Sequence, residues 1–138
     1  MDSAEKYEHW EDIAVYDLGT AEAMFQSSRY LYVVFMCQQS IEKLSKGLFV
    51  FYKGVEAPRS HNIHLILHSL FEEGTLQGES SDFENIYAPF FAELLAYYIS
   101  ERYPSYRDKL SISVSRDRAK EVLERSKEAF AWLRSLKR

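Results

Sequence analysis

Two arginines on either side of a proline are the side chains best suited to chemistry in this sequence. Arg102 and Arg107 flank Pro104, and a guanidinium holds its N–H donors in a fork that matches a phosphate group. Pro104 disfavours helix at the preceding residue, so we expect a helix to end near Arg102. A structural role stays open, because an arginine in a last helical turn stabilises the helix end and can stack on Tyr98 one turn earlier. Tyr106, beside Arg107, can stack on a base or plug one end of a bundle.

A polar stripe is the second candidate. Gln39, Glu42, Lys43 and Lys46 recur at three- and four-residue steps on one predicted helix, and Glu42 is spaced to pair with Lys46. Lys43 and Lys46 are the additional cations that we expect near a bound phosphate. The alternative is a solvated stripe or a polar contact between helices. Asp17 falls within the apolar stripe of another helix, so we expect it to pair with a base from elsewhere.

The histidines and the single cysteine are weaker candidates for a functional site. His61, His64 and His68 share one face of a predicted helix, but no cysteine or acidic residue has matching spacing. We therefore predict no metal site, and interpret His61 as a hydrogen-bonding residue at the start of that helix. Cys37 lies in an apolar helical run and is interpreted as a small buried hydrophobe.

Length and composition fit one globular domain over residues 1–138. Hydrophobic residues make up 46% of the chain and charged residues 28%, which is a globular balance. The net charge of −4 opposes non-specific attachment to nucleic acid. No apolar stretch is long enough to span a membrane and the first residues lack an apolar signal core, so we expect a cytoplasmic protein.

Hydrophobic periodicity predicts five helices and no confident strand. Gly54 ends the second helix, while Ser60 and Ser115 are predicted to cap the third and fifth. The stretch from Gly74 to Asp82 is predicted to be a polar loop. Short connections favour an all-α, up-and-down bundle. The predicted helices cover about Ser3–Ser27, Arg29–Tyr52, Asn62–Glu73, Asn85–Arg102 and a stripe from Ala119 to Leu136.

Four motifs in sequence order resemble the HEPN family, named for its occurrence in higher eukaryotes and prokaryotes. They extend across about Trp10 to Tyr106. The motifs are A-x-x-D-L-x-x-A at Ala14, Asp17, Leu18 and Ala21; F-x-x-Q-Q-x-x-E-K-x-x-K from Phe35 to Lys46; P-x-x-H at Pro58 and His61; and Y-x-x-x-R-Y-P from Tyr98 to Pro104.

The resemblance implies a helical bundle that forms a homodimer, which the aromatic content of 15% also favours. It implies pairing with a small nucleotidyltransferase-like protein. Some HEPN proteins are metal-independent RNA-cleaving toxins, and these carry an arginine followed after four to six residues by a histidine. This sequence departs there, because the positions after Arg102 hold Arg107, Asp108 and Lys109. The string from Arg59 to His64 has the right spacing but falls at the start of the third helix.

Three functional hypotheses follow. The first is a HEPN module that binds a nucleotide or nucleic-acid phosphate at Arg102 and pairs with a nucleotidyltransferase in a toxin–antitoxin-type pair, with Asp17, Gln39, Glu42 and His61 as supporting polar residues. The second is an RNA endonuclease toxin in which Arg102 stabilises the transition state and Tyr106 or Arg107 replaces the missing histidine. The third is a dimerisation module without a ligand. Whether the protein is an enzyme stays open at this point, and no cofactor is expected.

Overall fold

The computed structural model describes residues 1–102 and 114–138, with side chains described for residues 1–99 and 114–138. Within these ranges the chain is helical and contains no strand, which confirms the all-α prediction. Five long helices account for most of it. They are α1 Ser3–Gln26, α2 Tyr30–Lys53, α3 Ile63–Glu72, α4 Ala88–Arg102 and α5 Arg116–Ser135.

The central helix of the bundle is α2, which contacts each of the other four long helices. Its apolar positions Val34, Cys37, Ile41, Leu44 and Leu48 are all fully buried. A helix that is apolar over most of its surface must be covered on several sides. The sequence of α2 thus explains why it lies inside the bundle.

The most extensive helix–helix contact among the described elements joins α1 to α2. A Cβ atom added to Gly47 would lie only 2.8 Å from the Cβ of Trp10, so only a glycine fits there without displacement. The Ser40 hydroxyl on α2 also donates a hydrogen bond to the carbonyl of Ala14 on α1, at 2.8 Å. These two contacts fix α1 along α2.

Several predicted helix ends are confirmed. Gly54 ends α2 in the left-handed conformation at φ +70°, which glycine adopts without a steric penalty. The Ser115 side chain caps α5 by accepting a hydrogen bond from the Arg118 N–H at 3.1 Å. The Tyr52 hydroxyl donates to the Leu136 carbonyl and ties the end of α2 to the end of the chain.

The predicted start of the third helix, near Asn62, lies within one residue of the observed start at Ile63, but the predicted cap is wrong. Asn62, not Ser60, caps α3, and its side chain accepts a hydrogen bond from the Leu65 N–H at 3.2 Å. The Ser60 hydroxyl instead accepts from the Asn62 N–H at 3.0 Å. Because both residue types are good caps, the local sequence could not decide between them. His61 therefore precedes α3 instead of lying on it.

The segment between α3 and α4 is also more ordered than predicted. In place of a polar loop it forms a 3₁₀ turn at Gln77–Glu79, an α-helical turn at Ser80–Asp82 and a π-helical turn at Phe83–Tyr87. The π turn ends two residues before Pro89, which has no N–H to donate to the carbonyl of residue 85. The ladder widens instead, and the Ala88 N–H donates to the Phe83 carbonyl. Among the helices that the structure describes, none has the length and apolarity to cross a membrane.

Candidate functional site

A buried carboxylate on α2 organises the candidate site. Glu42 is only 1% exposed, and a buried charge is costly unless it is paired and hydrogen-bonded. Its Oε2 lies 3.1 Å from the Nζ of Lys46. Its Oε1 lies 2.9 Å from the Nδ1 of His61 and accepts a longer, 3.4 Å hydrogen bond from the Nε2 of Gln38. The three partners compensate for the loss of water around this charge.

His61 is held in place by both its backbone and its ring. The Gln38 Nε2 donates to the His61 carbonyl at 2.7 Å, while Glu42 contacts Nδ1. An ionised carboxylate can only accept, so Nδ1 is the donor in this contact. The His61 side chain is 47% exposed. The structure therefore presents a fixed imidazole at the surface.

An aromatic stack connects this imidazole to α4. The His61 ring lies 4.4 Å from the ring of Tyr98, and Tyr98 in turn stacks on Phe35 at 5.7 Å with an interplanar angle of 8°. Tyr98 is on α4, and Arg102 is the last residue of the same helix, one helical turn later. The backbone thus brings the helix end that carries Arg102 towards His61.

The predicted Arg102 site can be located only through its backbone. The predicted end of the helix at Arg102 agrees with the structure, but the side chain of Arg102 is not among those described. Tyr106 and Arg107 lie outside the described residues. Their proposed roles in catalysis and phosphate binding stay predictions.

A second polar cluster joins α2 to α1. The Lys43 ammonium lies 3.3 Å from the Asp17 carboxylate and donates to the Gln39 side-chain oxygen at 3.4 Å. The pairing expected for Asp17 and that expected between Glu42 and Lys46 are both present. The stripe on α2 is therefore a set of contacts between and along helices, not a solvated face. Lys43 and Lys46 each already neutralise one carboxylate.

The three histidines do not form one ladder. His61 contacts Glu42, whereas the rings of His64 and His68 stack on each other at 6.1 Å on α3. His64 also lies 3.2 Å from the Glu84 carboxylate. Across residues 1–102 and 114–138, no three His, Cys, Asp or Glu side chains converge as a metal-binding group. Arg59 and His64, which form the alternative arginine–histidine string, belong to different surroundings: Arg59 lines a groove beside Trp10.

Cys37 is fully buried among apolar side chains, as its sequence context indicates. Burial raises the pKa of its thiol to about 12. A nucleophilic cysteine needs its thiolate form. The structure thus supports the interpretation of Cys37 as a core residue.

Sequence reasoning missed two members of the site. Gln38 is fully buried and donates to both Glu42 and the backbone carbonyl of His61, while its Oε1 has no hydrogen-bond partner in the described part of the chain. Tyr98 was considered as part of the Y-x-x-x-R-Y-P motif and as a surface on which Arg102 could stack, but not as a contact of His61. The spacing of Gln38 and Glu42 by four residues on a largely apolar helix was an available signal, because buried polar residues come in mutually bonded sets.

Comparison with known proteins agrees with the fold. The model of the HEPN domain family matches residues 7–136, nearly the whole chain. No curated protein and no solved structure matches this chain significantly. The chain belongs to the HEPN domain family.

Proposed function

We propose that this HEPN domain binds a nucleotide or nucleic-acid phosphate where His61 meets the end of α4. The proposal rests on the position of the His61 imidazole. Glu42 contacts its Nδ1, and its ring lies against Tyr98, which is one helical turn before Arg102 on α4. A phosphate accepts hydrogen bonds from a guanidinium in a bidentate manner. Arg102 is the main phosphate ligand in this proposal, and Arg107 is a second one.

The lysines of α2 have a different part. Lys46 is paired with Glu42 and Lys43 with Asp17, so their charges are largely offset before a ligand arrives. We therefore assign them to the scaffold that orients His61 and fixes α2, together with Gln39. A substitution at Glu42 should then weaken ligand binding through the orientation of His61, although Glu42 itself does not contact the ligand.

Titration of a short single-stranded RNA tests this function. Arg102→Lys keeps the charge but loses the fork, so affinity should fall; Arg102→Ala should lower it further. Arg29→Ala, at an exposed arginine between α1 and α2, is the matched control and should bind as the parent does. Equal affinity of Arg102→Ala and the parent would remove Arg102 from the site. If no variant and no parent binds RNA or nucleotide, the ligand-free dimerisation module is the better description.

A second function, metal-independent RNA cleavage, is favoured by the orientation of His61. The sequence lacks the histidine expected after Arg102, but the fold supplies an imidazole from another segment. In such a reaction the RNA 2′-hydroxyl attacks the adjacent phosphorus and its proton passes to the His61 Nε2. A 2′,3′-cyclic phosphate forms as the bond between phosphorus and the 5′-oxygen breaks, and the leaving 5′-oxygen takes up a proton from water. A positioned acid or base typically contributes about 10²–10⁴-fold in rate. Cleavage in the presence of a chelator that is lost in both His61→Gln and Arg102→Ala would establish this function.

We also propose that the protein forms a homodimer and pairs with a nucleotidyltransferase-like protein. The exposed apolar side chains of Leu65 on α3 and of Ile99, next to Tyr98 on α4, support a protein contact. Sedimentation at micromolar concentration should give twice the chain mass. Co-expression with the product of an adjacent nucleotidyltransferase reading frame should give a complex that survives gel filtration and suppresses any toxicity of this chain.

A further inference from the structure

A groove of about 320 Å³ lies between α1 and the segment that joins α2 to α3. In the described part of the chain its lining includes no residue of α4, so it is separate from the proposed Arg102 site. The residues that line it are Trp10, Lys46, Glu56, Ala57, Pro58 and Arg59.

The aromatic wall of the groove depends on a glycine. Trp10 packs over Gly47, where the nearest indole ring carbon would be 3.6 Å from an added Cβ. The absence of a side chain at Gly47 lets Trp10 lie directly against α2 while it stays half-buried at the groove. Pro58 and Ala57 contribute apolar surface from the connecting segment. Ring and apolar surfaces of this kind suit a flat ligand.

The two cationic side chains of the groove are Arg59 and Lys46. A backbone turn positions Arg59, and the ion pair with Glu42 positions Lys46. The Ser60 N–H donates to the Pro58 carbonyl at 2.9 Å, which closes a three-residue turn centred on Arg59. Arg59 makes no ion pair with any described residue. Lys46 uses one contact for Glu42, and an ammonium has three donors. Glu56, the acidic residue of the lining, is paired with Lys6 at 3.5 Å.

We propose that this groove binds a small anion that carries a flat aromatic group. Arg59 supplies the positive charge at the anionic end, Lys46 contributes only a remaining N–H donor because its charge is offset by Glu42, and the aromatic part packs against Trp10. A groove of this volume is at the lower end of small-molecule sites, so the ligand is the size of a mononucleotide or smaller. The inference does not rest on the function proposed for Arg102.

Calorimetric titration of the full chain with adenosine 5′-monophosphate tests the groove. Adenosine, which lacks the phosphate, and inorganic phosphate, which lacks the ring, should each bind more weakly than the intact probe. Loss of a charge-assisted contact in Arg59→Gln should weaken binding about tenfold. Arg29→Gln removes the same charge elsewhere and should bind as the parent does. In ¹H–¹⁵N spectra, the probe should shift the indole signal of Trp10 and leave that of Trp132 in place.

Three results would overturn the proposal. One is the absence of binding at millimolar probe, and another is equal affinity in Arg59→Gln and Arg29→Gln. The third is binding that is lost in Arg102→Ala but kept in Arg59→Gln, because it would assign the nucleotide to the end of α4. Retained RNA binding in Arg59→Gln, in contrast, leaves the Arg102 function intact whatever the outcome at the groove.

Discussion

The carboxylate of Glu42 and the imidazole of His61 are joined by a 2.9 Å contact between Oε1 and Nδ1, although His61 lies outside any helix. The contact crosses from the most buried helix of the bundle to its surface. It links the stability of α2 to the orientation of a side chain that solvent can reach. Substitutions at Glu42 should therefore affect both properties.

Replacement of Glu42 should destabilise the protein in proportion to what is left unpaired. Glu42→Ala leaves the Lys46 ammonium and the Nδ1 of His61 without their carboxylate, and breaking a buried pair costs roughly 3–5 kcal/mol. Glu42→Gln keeps a hydrogen-bonding side chain and should cost less. Adding Lys46→Met to Glu42→Gln should recover part of the loss, since no uncompensated charge remains. Chemical denaturation measures all three; a double variant less stable than Glu42→Gln alone would contradict the prediction.

Two glycines in long helices should respond oppositely to alanine. Gly47→Ala forces Trp10 away from α2, and overpacking of this kind costs typically 1–3 kcal/mol. Gly19 has no atom within 4 Å of an added Cβ, so Gly19→Ala should stabilise α1 by roughly 0.5–1 kcal/mol through helix propensity. Thermal melts of the two variants should shift in opposite directions. A neutral Gly47→Ala would mean that α1 can move away from α2 at little cost.

Tyr7 should make the protein less stable in alkali. Burial, together with the hydrogen bond from its hydroxyl to Glu11 at 2.7 Å, raises the pKa of Tyr7 above its usual value of 10.0. The unfolded chain therefore loses this proton first, and the free energy of unfolding falls as pH rises above about 10, by up to ~1.4 kcal/mol per pH unit for one group. Tyr7→Phe should show a flatter decline. Denaturation between pH 9 and 12 compares the slopes, and identical slopes would exclude this role.

The thiol of Cys37 should report global unfolding. With its pKa raised to about 12 by burial, roughly one thiol in 10⁴ is ionised at pH 8. A disulfide reagent should react slowly with the native protein and at once after denaturation. The reaction rate at increasing denaturant should follow the loss of helicity. Rapid, complete reaction of the native chain would show that α2 opens locally.

The sequence was sufficient for the helices whose apolar period is strong and whose ends carry unambiguous caps. The predicted bounds of α1 and α2 lie within one residue of those observed. It failed between α3 and α4, where Gly74, Gly78 and several serines are typical of a loop. There the buried side chains of Leu76 and Phe83 hold helical turns against the core, and such tertiary packing overrides local propensity.

The candidate site was predictable in part. The polar residues of α2 stand out because they interrupt an apolar helix, and the charge pairs they form follow from simple spacing. The contact between Glu42 and His61 could not be predicted from spacing, because it joins residues 19 apart through a connecting segment whose path only the fold determines. The stack of His61 on Tyr98 depends likewise on how α4 crosses α2.

The π-helical turn at Phe83–Tyr87 contains one residue more than an α-helical turn needs. Such a turn is where a single-residue insertion or deletion can be absorbed without rotating the helix on either side. Ile86 is an exposed member of it, so its deletion should convert the π turn into an α-helical turn at little cost in packing. We expect Phe90, Leu94 and Tyr98 to keep their places on α4 in the shortened chain.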